Sequence, residues 1–285
     1  MRVAFHTYPK KWQSIRGLLA LRRHGHRYWA GHALRRGVEC CGLETITGLY
    51  DEPTDAAVSV IWGWKQSNVI SACQQGGRQL LVLERGFIQP RHTWISLTWN
   101  GLNGRGHFPT SNDNGARWRQ HFATRLQPWR TSPGDYVLLI GQVPGDAALH
   151  GACIETWLNE TAKKLLDLGH RVRFRPHPLH RLPCPAGAEY STSSLIEDLG
   201  RADRCVVYNS TTAVEAVLAG VPAVVYDIGS VAWPMASHDV AQELVRPDRT
   251  AWCHDLACRQ WRASELKDGS AWRFAVQEGL RLGAT

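Results

Sequence analysis

Short apolar runs recur along this chain, and nearly every one is followed by a stretch with helical periodicity. In the first hundred residues, the runs at 2–7, 57–62, 79–83 and 93–98 read as strands. Helices are expected over 15–24, 28–36 and 67–75, the first capped by Ser14, the second stopped at Gly37 and the third at Gly76-Gly77. The rhythm restarts at residue 136. Strands are expected at 136–140, 171–175, 204–208 and 223–226, with helices over 153–168, 194–202 and 212–219. Alternation of this kind predicts parallel sheets, because parallel neighbours need a crossover long enough to hold a helix. Two such series predict an α/β chain of two Rossmann-like domains facing each other across a cleft.

Between the series the texture changes. Residues 100–106 and 109–115 are rich in Gly, Asn and Asp, the composition of an ordered irregular loop. A helix is expected over 116–126, and 127–134 has linker composition. The domains are therefore expected at 1–130 and 131–285. The C-terminal stretch from 256 to 282 reads as helical, with Trp252, Trp261 and Trp272 as anchors.

Charge differs between the halves. Residues 1–130 hold 18 Lys/Arg against 7 Asp/Glu, and residues 131–285 hold 15 against 18. A basic half joined to a mildly acidic one suggests that the first grips a polyanion. Basic pairs Lys10-Lys11, Arg22-Arg23 and Arg35-Arg36, then Arg105, Arg117 and Arg119, are interleaved with tryptophans, which is a nucleic-acid pattern. No segment is apolar enough to span a membrane, and the first residues lead straight into a strand without a signal-peptide layout. A cytoplasmic chain without a membrane partner, monomeric or weakly dimeric, is expected. The eight cysteines form no C-x-x-C pair and read as free thiols.

Ligand-capable side chains sit where strands of the second half end. Gly141-Gln142-Val143-Pro144-Gly145-Asp146 follows one strand, with Gln142 and Asp146 placed to meet a ligand. Arg173-Phe174-Arg175-Pro176-His177-Pro178 supplies cations and a switchable proton donor. Asn209-Ser210-Thr211-Thr212 opens a helix with Glu215 one turn in, which suits phosphate and a ribose diol; a plain N-cap with Glu215 as capping-box partner is the alternative. In the first half, Glu84 ends a strand and is the first candidate base for an acceptor hydroxyl, with Asp113 and Asp146 behind it. No P-loop, G-x-G-x-x-G, nucleophile elbow or metal motif is present, so neither a metal nor another cofactor is expected.

Together, the Gly141–Ala147 run, the Arg-Pro-His-Pro segment and the Asn-Ser-Thr-Thr-x-x-Glu segment resemble the donor half of GT-B-like glycosyltransferases, nearest the capsule-polysaccharide and Kdo-transferase group. The resemblance implies nucleotide and phosphate binding by His177, Ser210 and Thr211, and a nucleotide-sugar co-substrate such as UDP-glucose or another UDP-sugar. Leu83-Glu84-Arg85-Gly86-Phe87 and Trp99-Asn100-Gly101-Leu102-Asn103-Gly104 look like compact glycosyltransferases of tailed phages. That second resemblance implies an acceptor hydroxyl on a 5-hydroxymethylpyrimidine, foremost 5-hydroxymethylcytosine, in DNA. A capsule- or lipopolysaccharide-type acceptor is the alternative, and a non-catalytic nucleic-acid-binding protein is a third reading.

Overall fold

In chain order the elements of the computed structural model are β1 (Arg2–Phe5), α1 (Ile15–Cys40), β2 (Glu44–Thr47), β3 (Val58–Trp62), α2 (Ser67–Gln75), β4 (Gln79–Arg85), β5 (Ile95–Trp99), α3 (Ala116–His121), β6 (Tyr136–Ile140), α4 (Ile154–Asp167), β7 (Val172–Arg175), β8 (Glu189–Tyr190), α5 (Leu195–Arg201), β9 (Ala202–Val207), α6 (Thr212–Leu218), β10 (Ala223–Val225), α7 (Thr250–Cys258), β11 (Gln260–Trp261), α8 (Ala263–Lys267) and α9 (Ser270–Gly279). The structure describes residues 1–7 and 15–279. Among these, no helix is long and apolar enough to cross a membrane.

Two compact units result. Unit 1 comprises Met1–Leu102, Gly106–Trp118 and Trp252–Thr285; unit 2 comprises Asn103–Arg105 and Arg119–Ala251. This differs from the expected 1–130 and 131–285 in two places. The C-terminal segment belongs to unit 1, where β11 pairs with β5 and the Trp99 indole N–H donates to Ala275 O at 2.8 Å. Trp272 packs against Trp99 in the same core. Residues 127–134 are built into unit 2 rather than forming a linker: the Trp129 indole donates to Pro247 O, and Arg130 donates to the carbonyls of Leu199 and Gly200.

Unit 1 carries a six-stranded sheet in the order β11-β5-β4-β3-β1-β2. β2, β1, β3 and β4 run parallel, β5 runs antiparallel to β4, and β11 runs antiparallel to β5. All five residues of β3 are buried, as expected of a strand covered on both faces. The two helices expected over 15–36 are one continuous helix, α1. Gly37 continues that helix instead of ending it: a Cβ there would lie 2.0 Å from Leu266 O, so glycine lets α1 meet α8. The expected cap, Ser14, lies outside the described residues. The helix expected over 116–126 ends at His121.

Unit 2 holds a five-stranded, all-parallel sheet in the order β10-β9-β6-β7-β8. β6 lies in the middle. The chain fills β7 and β8 on one side, then returns to β9 and β10 on the other. The direction of winding thus reverses between β6 and β9, and ligands of such sheets bind beyond the carboxyl ends of the strands at that reversal. α4 buries Ile154, Leu158, Thr161, Ala162 and Leu165 against the sheet, a 3.6-residue stripe. Ser194 and Glu197 close a full capping box on α5.

Candidate functional site

Three polar side chains meet at the winding reversal of unit 2. Each stands two residues beyond the end of its strand: Gln142 after β6, Asn209 after β9 and Asp227 after β10. Gln142 and Asn209 pair twice. The Gln142 Nε2 donates to Asn209 Oδ1 at 2.8 Å, and Asn209 N–H donates to Gln142 Oε1 at 3.0 Å. Asn209 Nδ2 then donates to Ala148 O at 2.7 Å and Asp227 Oδ1 at 3.1 Å. Asp227 also accepts Gly229 N–H at 2.7 Å and is ion-paired with Arg105. All three polar residues are buried.

Arg105 was read from sequence as a nucleic-acid contact. It is instead a member of this cluster, held in unit 2 by Gly104 N–H donating to Gly229 O at 2.9 Å. A Cβ on Gly104 would come within 2.5 Å of Ile228 O, so glycine is required for the approach. His150 follows the β6 turn in the left-handed region, at φ 49°. Desolvation, then the Arg105 charge, lower its pKa below the ordinary histidine value.

The other residues expected to hold a donor surround this cluster in sequence and have varied duties. Arg175 donates to fully buried Asp198 at 2.8 Å and to Ser193 O at 2.5 Å. Arg173 lies over the Tyr136 ring at 4.1 Å and pairs with Glu189. The guanidinium pair expected at a phosphate therefore balances Asp198 and Glu189, because a buried carboxylate needs compensation. His177 accepts Leu179 N–H on Nδ1 at 3.2 Å within a tight turn. Ser210 Oγ accepts Thr212 N–H at 3.2 Å and donates to Thr212 Oγ1 at 3.1 Å. Thr211 is the N-cap of α6 but makes no side-chain cap bond, so the alternative capping box does not form. Glu215 is half-buried one turn into α6. Asp146, a candidate base, accepts Ala148 N–H at 2.9 Å and caps a short 3₁₀ turn.

In unit 1, Glu84 is the last residue but one of β4 and is half-buried. Burial raises its pKa above the ordinary carboxylate value; the Arg85 N–H and the charges of Arg91, Arg27 and Arg85 oppose this without cancelling it. A carboxyl shifted this way holds its proton more readily than an exposed one and gives it up less easily. Fully buried His6 follows β1, its Nδ1 2.8 Å from Leu49 O, and burial lowers its pKa. Asp113 has a structural duty. Desolvation would raise its pKa, but the N–H groups of Arg117 and Gly115 and the Ser111 hydroxyl prevail and lower it. Those bonds make it the cap of α3.

The basic residues expected to grip nucleic acid divide. Lys10 and Lys11 lie outside the described residues, and Arg22 and Arg23 lie in the part of α1 whose side chains are not described. Arg117 is turned inward: it lies 4.2 Å from the Trp261 ring, forks onto Glu265 and donates to Ala257 O and Gln260 O. Arg35 is held by Glu39, Thr45 and Thr47. Arg36 and Arg119 are exposed.

Sequence reasoning missed Asn209 as a hub, and missed Asp227 and His150 altogether. The signal was present. A polar residue two positions past each of three apolar runs repeats too regularly to be three unrelated turns.

Neither a protein-family model nor a curated protein matches the chain. Its fold is similar to two solved structures from Thermosulfurimonas dismutans KpsC. One is the beta Kdo 2,7 transferase, at 13% identity and TM-score 0.54, covering 95% of this chain and 99% of that one. The other is the beta Kdo 2,4 transferase, at 14% identity and TM-score 0.57, covering 90% of each. The likeness is one of fold: two Rossmann-like α/β units of the GT-B-like class.

Proposed function

We propose that the protein is a nucleotide-sugar-dependent glycosyltransferase. The observation that carries this reading is the Gln142–Asn209–Asp227–Arg105 cluster at the winding reversal of unit 2, where an α/β sheet of this kind takes its ligand. The cluster holds the three strand ends in place for the donor, a UDP-sugar. Arg105, His177 and the hydroxyls of Ser210, Thr211 and Thr212 stabilise its diphosphate, and Glu215 meets the ribose diol. Glu84 takes the proton of the acceptor hydroxyl. The oxygen then bonds to the sugar's anomeric carbon as the bond to the diphosphate breaks, and the nucleotide diphosphate leaves with that electron pair.

The acceptor we put first is a 5-hydroxymethylpyrimidine in DNA, extruded from the stack to react. Charge supports it: unit 1 holds 19 Lys/Arg and 11 Asp/Glu, unit 2 holds 14 and 14, so unit 1 carries the whole net charge of +8. Likeness in fold to Kdo transferases favours the second reading, a polysaccharide-type acceptor. The test is incubation with hydroxymethylcytosine DNA and a panel of UDP-, GDP- and CMP-sugars, then nucleoside digestion and mass spectrometry. A hexose or pentose mass on the modified nucleoside supports the DNA reading and identifies the donor. A melting shift with a nucleotide sugar but no added mass moves the acceptor to a glycan. Response to neither, with DNA still bound, leaves the non-catalytic reading.

A further inference from the structure

Unit 1 has a groove of about 280 Å³ between α1 and α8. Its α1 wall is formed by Trp29, His32, Ala33 and Arg36, which recur at helical spacing on one face. Ala263 and Lys267 face them from α8. Trp29 is 42% exposed, an unusual position for the largest apolar side chain. Arg36 and Lys267 are exposed and, among the described residues, neither is ion-paired. Glu39, the nearest acid along α1, is hydrogen-bonded by Arg35 and Thr45, and the Arg36 charge acts on it less strongly than those partners. Among the described residues no acidic side chain lines the groove, and it belongs to the unit that carries all of the net charge.

We propose that this groove docks a single-stranded stretch of nucleic acid, with one base stacked on Trp29 and phosphates of following nucleotides on Arg36 and Lys267. The spacing favours that occupant. Arg36 lies two turns beyond Trp29, about 10 Å along the axis at 1.5 Å per residue. Phosphates succeed one another at about 3.4 Å of axis along a strand, and wider when bases unstack. A cation at that remove therefore meets a phosphate two or three nucleotides on. An acidic glycan carries its carboxylate on the same ring that would stack, and would need the cation beside Trp29, whereas Arg36 stands two turns further along α1. The inference rests on the DNA reading above and adds the place of contact.

The experiment is fluorescence anisotropy of a labelled short oligothymidylate across a salt series, with Trp29→Ala and the double variant Arg36→Ala/Lys267→Ala. These side chains are exposed, so melting temperatures are expected to stay with the parent. Trp29→Ala is expected to weaken binding roughly 5- to 150-fold, the range for one base stacked on an aromatic ring. The double variant is expected to flatten the slope of log affinity against log salt by about 1.4, for two single-strand phosphates. Parent-like affinity and slope in both variants would overturn the proposal. So would an acidic oligosaccharide that binds the parent in place of the oligonucleotide and is lost with the same substitutions. The two readings fail separately: oligonucleotide held in the groove without sugar transfer leaves the groove standing, whereas transfer to DNA with parent-like binding by the groove variants removes only the groove.

Discussion

Glu84 joins two observables through one physical cause. Burial raises its pKa, so the folded protein prefers it protonated. That contribution to stability is complete below the ordinary value of 4.5 and is lost as pH rises through the folded value. Glu84→Gln keeps the shape without the charge. The variant is expected to match the parent in melting temperature below pH 4.5, to gain on it as pH rises, and to hold that gain once pH has passed the folded value. If Glu84 is the base, the same substitution lowers kcat roughly 10²- to 10⁴-fold while the melting shift given by nucleotide sugar persists. A variant that stays active refutes the catalytic role and leaves the stability prediction standing. Asn209 gives a second test. Asn209→Ala strands Gln142, the Ala148 carbonyl and Asp227 at once, all in a buried cluster. It is expected to cost about 2–4 kcal/mol by denaturant unfolding and to raise the KM for the sugar donor. Ser210→Ala touches only a local bond to Thr212 and is expected to cost about 0.5 kcal/mol, acting on KM alone. Glu84 stands out in the sequence because a carboxylate ends an apolar run. Asn209 was not seen as a hub because its partners lie 67 and 18 residues away.

Helix α1 shows what an element owes to its neighbours. Its sequence holds four glycines and reads as two helices with a break near Gly25. Packing overrides that local preference, since α1 meets both α8 and α9 along its length. Gly25, Gly31 and Gly37 differ in their surroundings. A Cβ on Gly25 meets nothing within 4 Å, whereas one on Gly31 would lie 2.1 Å from Thr7 Oγ1 and one on Gly37 2.0 Å from Leu266 O. Gly25→Ala is therefore expected to stabilise by about 0.5–1 kcal/mol, the ordinary helix preference for alanine. Gly31→Ala and Gly37→Ala are expected to destabilise by about 1–3 kcal/mol through overpacking. Chemical denaturation of the three variants checks the order, and a loss at Gly25 would mean the helix is kinked there. The strands show the same limit on local reading. β6 is wholly apolar and β3, β4 and β9 each carry an apolar run, which makes all four visible in the sequence. β8 and β11 are two residues each, and β2 is the polar alternation Glu44-Thr45-Ile46-Thr47, so pairing with a neighbour defines them more than composition does.

At the scale of the whole chain, composition misplaced the boundary because both misassigned segments are held by distant partners. The Gly/Asn-rich loop sends Asn103–Arg105 to unit 2, and the C-terminal helices return to unit 1. Redrawn along the folded units, the charge separates cleanly: +8 on unit 1 and zero on unit 2. This separation predicts two salt dependences in one chain. A polyanion held by unit 1 releases counterions on binding, so the log of its affinity should fall with log salt at about −0.9 per duplex phosphate contacted. A nucleotide sugar held by the neutral unit 2 presents one diphosphate to a local site and has little long-range field to lose. Steady-state kinetics on modified DNA between about 50 and 200 mM salt should show the KM for DNA rising with a slope of about three or more, and the KM for donor with a slope near one. Equal slopes would mean that both substrates respond to the same field, and the charge of unit 1 would then be a surface property rather than the footprint of the acceptor.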